Sequence, residues 1–374
     1  MLIVIRADAS QSIGSGHIMR CLTLAERLKV MGAKVSFVCR DFPGNLSEYI
    51  RIHGFEVHLL PRDEACDLAL RRPEQAWIET TWKSDAEQTM GVLKKYGRMI
   101  DWLIVDHYGI DRHWQSRLRG GVCQIMVIDD LANRHHDCDV LLDQNYYHNA
   151  ADRYHGLIPK GCLLLLGPQY LLLRDEFYKV RQGMKTRTGE VSNILVFYGG
   201  SDTTNETEKC LTGLSNYIGS KLEVNVVTGQ SNPNKARIKD ICSSMPNINY
   251  HCQVSNIAEL MNKADLAFGA GGSTMWERCF LGLPSIVTVT AENQMETTQA
   301  VSELGAIWNL GWYEKVTKDS LGKVAEEFIM GTSKLIHLQK KALNLVKGTG
   351  ASGIAQLLKA VFQRRVDQDQ QKDC

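Results

Sequence analysis

Ile13-Gly14-Ser15-Gly16-His17-Ile18-Met19-Arg20 is the stretch from which the fold can be read. An apolar run, Leu2-Ile3-Val4-Ile5, precedes it and predicts a buried strand. A helix pattern follows, with apolar residues at Ile18, Cys21, Leu22, Ala25 and Leu28, closed by Gly32. Strand, glycine loop and helix together point backbone N–H groups and a positive helix end at an anion. His17 stands at the loop–helix junction, beside the place such an anion would take.

The same alternation continues along the chain. Strands are expected at 34–39, at 56–60 (ended by Pro61), at 101–106, at 124–128 and at 140–142, with a helix over 85–96. Residues 62–82 are polar and read as loop and short helix. The fold class is therefore α/β, built from right-handed β-α-β units around a parallel sheet. Ligands of such sheets gather beyond the carboxyl ends of the strands. His17, Tyr108, Asp129 and Asn145 all fall there. A second series opens at 193–198, leads into Gly199-Gly200-Ser201-Asp202, and continues with strands at 222–227, 264–268 and 284–289. The stretch Gly269-Ala270-Gly271-Gly272-Ser273-Thr274 leaves the third of these, and Glu292-Asn293-Gln294 leaves the last. Two Rossmann-like domains result, over 1–160 and 191–345. A linker over 161–190 is marked by Gly161, Gly167 and Pro168, and a helix with a frayed tail is expected over 346–374.

Composition narrows the function classes. The chain has 374 residues, 44% hydrophobic and 23% charged, with a formal net charge of +1. That balance gives no bulk attraction to nucleic acid or an acidic membrane. No apolar run reaches ~18 residues, so no membrane span is expected. Arg6 and Asp8 in a strand-like N-terminus argue against a signal peptide. The eleven cysteines form no C-x-x-C pair and read as reduced thiols of a cytoplasmic protein.

Several residues can carry chemistry. The 269–274 segment is a phosphate-loop candidate: glycines admit an anion to the backbone, and Ser273 and Thr274 add hydroxyl donors. It lacks the G-K-[ST] ending of a nucleoside-triphosphatase loop. Glu277, three residues after Thr274, has two readings. It closes a Thr-x-x-Glu capping box, or it accepts both hydroxyls of a ribose. Gly200 and Ser201 form a second phosphate contact or simply a turn. A helix N-terminus disfavours imidazolium, so His17 is read as a neutral base. Arg20, one turn on, faces solvent or pairs with an acid. His135 and His136 read as loop residues, because nothing closes a metal set with them. No metal and no cofactor are expected.

These motifs together resemble a known family. Arg6-Ala-Asp-Ala-Ser10 with Ile13-Gly-x-Gly-His-x-Met-Arg-Cys21 looks like the signature of the UDP-sugar hydrolases of pseudaminic-acid biosynthesis. Asp106-His-Tyr-Gly109, Ile128-Asp-Asp-Leu131, Leu142-Asp-Gln-Asn145, Leu172-Leu-Arg-Asp-Glu-Phe177, Gly199-Gly-Ser-Asp202 and Glu292-Asn-Gln294 follow in the same order, over roughly residues 1–310. Those hydrolases remove UDP from UDP-2,4-diacetamido-2,4,6-trideoxy-β-L-altropyranose, and spore-coat polysaccharide proteins share the pattern. The resemblance implies a GT-B-like fold, two Rossmann-like domains whose parallel sheets face a central cleft, with UDP held mainly by the second. It implies His17 as the base that activates water and Tyr108 as an active-site tyrosine. Glu277 is implied on the uridine ribose, and Asn293 near the diphosphate or sugar. Gly14, Gly16, Arg174, Gly200, Ser201, Gly272, Ser273 and Thr274 complete the implied substrate-binding set. Two rivals stay open: a GT-B glycosyltransferase with a soluble acceptor, and a non-catalytic nucleotide-sugar binding protein.

Overall fold

β1 (Leu2–Ala7) is buried along its whole length, and its alternate residues feed two cores. Ile3, Ile5 and Ala7 join one cluster with Trp102 and Ile104, while Leu2 and Val4 join another with Leu103 and Val105. A strand covered on both faces is what a central parallel strand requires, and it explains the unbroken apolar run. The computed structural model describes residues 1–10, 13–62, 82–217 and 222–372. Most of the 62–82 stretch read as loop and short helix lies outside these residues.

The chain forms two units. The first takes Met1–Asn145, Asn149–Leu172 and the chain from Gly348 on. Its sheet contains β1, β2 (Lys34–Arg40), β3 (Glu56–Leu60), β4 (Ile100–Asp106), β5 (Val122–Ile128), β6 (Val140–Asp143) and β7 (Leu163–Leu166). The order is β3-β2-β1-β4-β5-β6-β7, and every pairing is parallel. The order turns at β1/β4, the switch point beside which ligands of such sheets bind. The helix Gly16–Val30 follows β1 directly, so His17 and Arg20 stand at that point.

The second unit takes Tyr146–His148 and Leu173–Lys347. Its sheet contains β8 (Asn193–Phe197), β9 (Glu223–Thr228), β10 (Ile248–Cys252), β11 (Leu266–Ala270), β12 (Ser285–Val289) and β13 (Trp308–Trp312), in the order β10-β9-β8-β11-β12-β13. All pairings are again parallel. The helix Ser273–Phe280 follows β11, which pairs with β8 at the corresponding switch.

The stretch expected as a linker is divided between the units. Leu163–Leu166 pairs with β6 as an edge strand, and the chain passes to the second unit after Leu172. Arg187, in the charged part of that stretch, is buried. Its guanidinium donates to the carbonyls of Ala264 (2.8 Å), Leu281 (2.9 Å) and Met261 (2.9 Å), closing helix ends of the second unit. The C-terminal segment also departs from expectation. The helix Gly350–Lys372 packs Ala351, Ile354, Ala355 and Leu358 into the first unit's core beside Ile18, Cys21 and Leu22. The tail expected to fray from about residue 364 is helical to Lys372. Gly348 is needed where the chain re-enters this unit, since a Cβ there would sit 2.2 Å from the carbonyl oxygen of Gln169. No helix of the described residues is long and apolar enough to cross a membrane.

Candidate active site

In the first unit, β4 ends at Asp106, whose carboxylate is fully buried. His17 Nδ1 lies 2.6 Å from Asp106 Oδ1. Arg20 grips the same carboxylate with both arms of its fork, Nε to Oδ2 and Nη2 to Oδ1, each 2.6 Å. Burial alone would raise the Asp106 carboxyl, but Arg20 and then His17 hold it well below the usual carboxylate range. An ionised carboxylate can only accept, so Nδ1 is the donor, and in that tautomer Nε2 is the acceptor nitrogen of the ring. The arrangement is a histidine whose ring is oriented by a buried acid. Helix position suggested the base; the residue that fixes its tautomer is 89 positions away. Arg20 is the acid-paired alternative of its two readings, and it also reaches Asp130 at 3.3 Å.

Tyr108 stands edge-on to His17, ring centroids 4.7 Å apart at 88°. Burial, and then the carboxylate of Asp130, push its phenol well above the ordinary value, so it is a neutral donor. The turn that carries it is braced: Gly109 N–H donates to His107 Nδ1 at 3.0 Å, and His107 Nε2 lies 3.1 Å from Asp8. Asp8 belongs to a buried charge network. Arg6 bonds Asp8 at 2.6 Å and Asp85 at 3.0 Å, and Arg40 bonds Asp85 as well. Gly14 has φ +80 and donates to the Ser10 carbonyl at 2.9 Å, which makes the tight turn ahead of the helix.

Asn145, placed near the site by its strand end, uses its backbone N–H to donate to Asp143 at 3.0 Å. Asp143 and Asp129 share the Tyr154 hydroxyl, at 3.0 and 3.3 Å. Burial pushes the Asp143 carboxyl up to about 7. The unfolded carboxyl titrates near pH ~4. Between these values the folded chain keeps a proton that the unfolded chain has lost, so stability falls as pH rises and the penalty is complete above the folded value. Asp143→Asn is expected to melt higher than wild type at pH 8, with the gap closing toward pH 4. Melts across that range check it, and a constant gap would contradict it. His136 is a structural residue: its Nδ1 contacts Gln115 Nε2 at 3.1 Å. Among the described residues no three His, Cys, Asp or Glu side chains gather as a metal-binding group.

In the second unit, Gly272 is the N-cap of Ser273–Phe280 and no side chain caps this end. The capping box read from Thr274 and Glu277 does not form. The helix starts before Thr274, whose Oγ1 accepts from Arg278 Nη1 at 3.1 Å. Glu277 instead accepts from Arg174 Nη2 at 3.2 Å, and Arg174 also pairs with Glu176 at 2.7 Å. Burial raises the Glu277 carboxyl, and Arg174 opposes that shift. Packing as well as ligand access demands the loop glycines. A Cβ on Gly269 would meet the Phe197 carbonyl at 2.4 Å, and one on Gly271 would meet Thr298 Oγ1 at 2.3 Å. The turn Glu292–Gln294, with Asn293 exposed on it, flanks this loop through Gln294.

Gly200 and Ser201 have a different setting. Asp202 accepts from the N–H groups of Glu206 and Thr207, both at 3.0 Å. The start of the helix Glu206–Leu214 is thus met by a carboxylate of the chain itself, which favours the turn reading over a phosphate contact. Sequence reasoning missed Asp106 as the orienting acid and Arg278 altogether. Asp106 was visible as the polar end of a buried strand, and Arg278 as the i+4 neighbour of Thr274.

Comparison with known proteins agrees with this architecture. Residues 193–358 match the model of the glycosyltransferase family 28 C-terminal domain. The chain is 29% identical to the UDP-2,4-diacetamido-2,4,6-trideoxy-beta-L-altropyranose hydrolase of Campylobacter jejuni, over 82% of this chain and 97% of that one. It is 22% identical to the spore coat polysaccharide biosynthesis protein SpsG of Bacillus subtilis, over 98% of this chain and 100% of that one. Among solved structures it superposes on MurG of Acinetobacter baumannii with a TM-score of 0.64, at 13% identity, covering 96% and 99% of the two chains. The glycotransferase of kitacinnamycin gives 0.65 at 17% identity, covering 96% and 98%. The fold is that of the GT-B glycosyltransferases, and the resemblance to the UDP-sugar hydrolase extends over most of the chain.

Proposed function

We propose that this protein hydrolyses the anomeric C–O bond of a UDP-acetamido-sugar, releasing UDP and the free sugar. The observation that carries the reading is the His17–Asp106 pair, a base with its tautomer fixed at a strand end where ligands bind. A nucleotide-sugar binding protein has no use for such a pair. The second unit supplies the nucleotide site: the open helix end at Gly272, Ser273 and Thr274 for the diphosphate, Glu277 with Arg174 for the ribose, and Asn293 beside the loop. Backbone N–H groups there stabilise the charge that develops on departing UDP. The first unit supplies the chemistry. His17 Nε2 takes a proton from water, and the resulting hydroxide attacks the anomeric carbon. Asp106 stabilises the imidazolium that forms, and Tyr108, whose proton is held by Asp130, offers its hydroxyl oxygen to the sugar as an acceptor. A single displacement without a covalent intermediate inverts the anomeric centre. No cofactor and no metal enters the scheme, and cytoplasmic residence is part of it.

The name of the Campylobacter jejuni relative makes a 2,4-diacetamido-2,4,6-trideoxy sugar the first substrate to try, for a step in pseudaminic-acid biosynthesis. The family 28 match and the glycosyltransferase neighbours support a second reading, transfer to an acceptor hydroxyl in place of water. UDP release from a panel of UDP-acetamido-sugars, with no acceptor added, separates the two. Hydrolysis predicts stoichiometric UDP from at least one diacetamido donor. Release that appears only when an acceptor is supplied would make the protein a transferase.

A further inference from the structure

The glycine loop of the second unit rests on a buried guanidinium. Arg278 is 0% exposed. Its Nη1 donates to Thr274 Oγ1 at 3.1 Å, its Nη2 to the Ala270 carbonyl at 2.8 Å, and its Nε to Ser285 Oγ at 3.1 Å. Among the described residues no carboxylate forms a contact ion pair with it; its neighbour Glu277 acts on it only through space and is itself engaged by Arg174. Burial accordingly brings the guanidinium down to about 10. A buried charge without a contact counter-ion is costly, and folds retain one where something offsets the cost. A second group points the same way. The Thr298 hydroxyl is fully buried, has no hydrogen-bond partner, and is turned toward Gly271 of the same loop.

The Arg278–Thr274 bond also settles a direction. A hydroxyl has one proton and two lone pairs. By accepting from Arg278, which can only donate, Thr274 keeps its own proton for a ligand. The bond to Ala270 likewise draws that carbonyl, which would repel an anion, onto the arginine.

We propose that Arg278 is the positioning residue of a diphosphate subsite at residues 269–274, supplying the counter-charge of the anion and turning the Thr274 hydroxyl into an outward donor. This deepens the nucleotide-site reading above and rests on it. The ligand class is a nucleoside diphosphate or inorganic pyrophosphate, as opposed to an uncharged nucleoside.

The test is calorimetric titration of the full chain with UDP, uridine and inorganic pyrophosphate. Arg278→Met is expected to weaken UDP roughly tenfold to hundredfold while leaving uridine within about twofold, the range of a hydrogen bond to a charged group. Thr274→Val alone is expected to cost roughly tenfold in UDP affinity, and much less in the Arg278→Met background, because the two act as one unit. Equal losses for UDP and uridine would show that Arg278 only holds the fold, and would overturn the proposal. If Arg278→Met does not fold, Thr274→Val decides: unchanged UDP affinity overturns it. Wild type binding pyrophosphate but not UDP would defeat the nucleotide reading alone, and the same variants titrated with pyrophosphate then judge the subsite. Wild type binding neither would overturn both.

Discussion

His17→Asn is expected to abolish turnover while UDP affinity and melting temperature stay close to wild type. Asparagine keeps a polar side chain against Asp106, and the Arg20–Asp106 fork, at 2.6 Å on both arms, does not depend on the ring. The nucleotide site proposed at Gly272, Thr274 and Glu277 belongs to the other unit, so binding is expected to survive. What disappears is the lone pair that takes the proton from water. General-base catalysis contributes roughly 10²–10⁴ in rate, and the loss should fall in that range. Steady-state UDP release, titration with UDP and thermal melts give the three readouts. Turnover within about tenfold of wild type would remove His17 from the mechanism.

Asp106→Asn is expected to combine a comparable rate loss with a lower melting temperature. The buried carboxylate orients His17 by accepting from Nδ1. An amide can instead donate to Nδ1, which moves the ring proton to Nε2 and leaves no base facing the substrate. In serine proteases the same carboxylate-to-amide change costs about 10⁴ in kcat. Arg20 also loses its bidentate partner, and breaking a buried pair costs about 3–5 kcal/mol. The remaining contact of Arg20 with Asp130, at 3.3 Å, reduces that loss. The two effects are read separately, kcat from UDP release and stability from melts, and UDP affinity should not move. A destabilised variant with wild-type kcat would mean that Asp106 is structural and that His17 needs no orienting acid.

Both sheets were legible in the sequence because central parallel strands are buried on both faces and read as apolar runs. The strands that escaped are β7, β10 and β13, all at sheet edges: β7 is only four residues long, and in β10 and β13 polar residues dilute the apolar signal. Ile248–Cys252 and Trp308–Trp312 carry asparagine, histidine or glycine among their apolar residues. The return of Gly350–Lys372 to the first unit was not legible, because an apolar helix face does not say which core it covers. His17 could be found from its loop and helix, which are local. Asp106 could not be joined to it, since the two lie 89 residues apart and meet only because β4 pairs beside β1. Glu277 shows where a local pattern leaves two readings open. Its local pattern permits a capping box, and the tertiary contact with Arg174 takes the carboxylate elsewhere.

The central claim is that water attacks the sugar carbon and UDP leaves. Turnover of a UDP-diacetamido-sugar in ¹⁸O-labelled water, followed by mass analysis of both products, tests it most directly. The account predicts label in the free sugar, none in UDP, and UDP as the nucleotide product. Label in a phosphate product, or UMP in place of UDP, would contradict it and assign cleavage to the pyrophosphate bond.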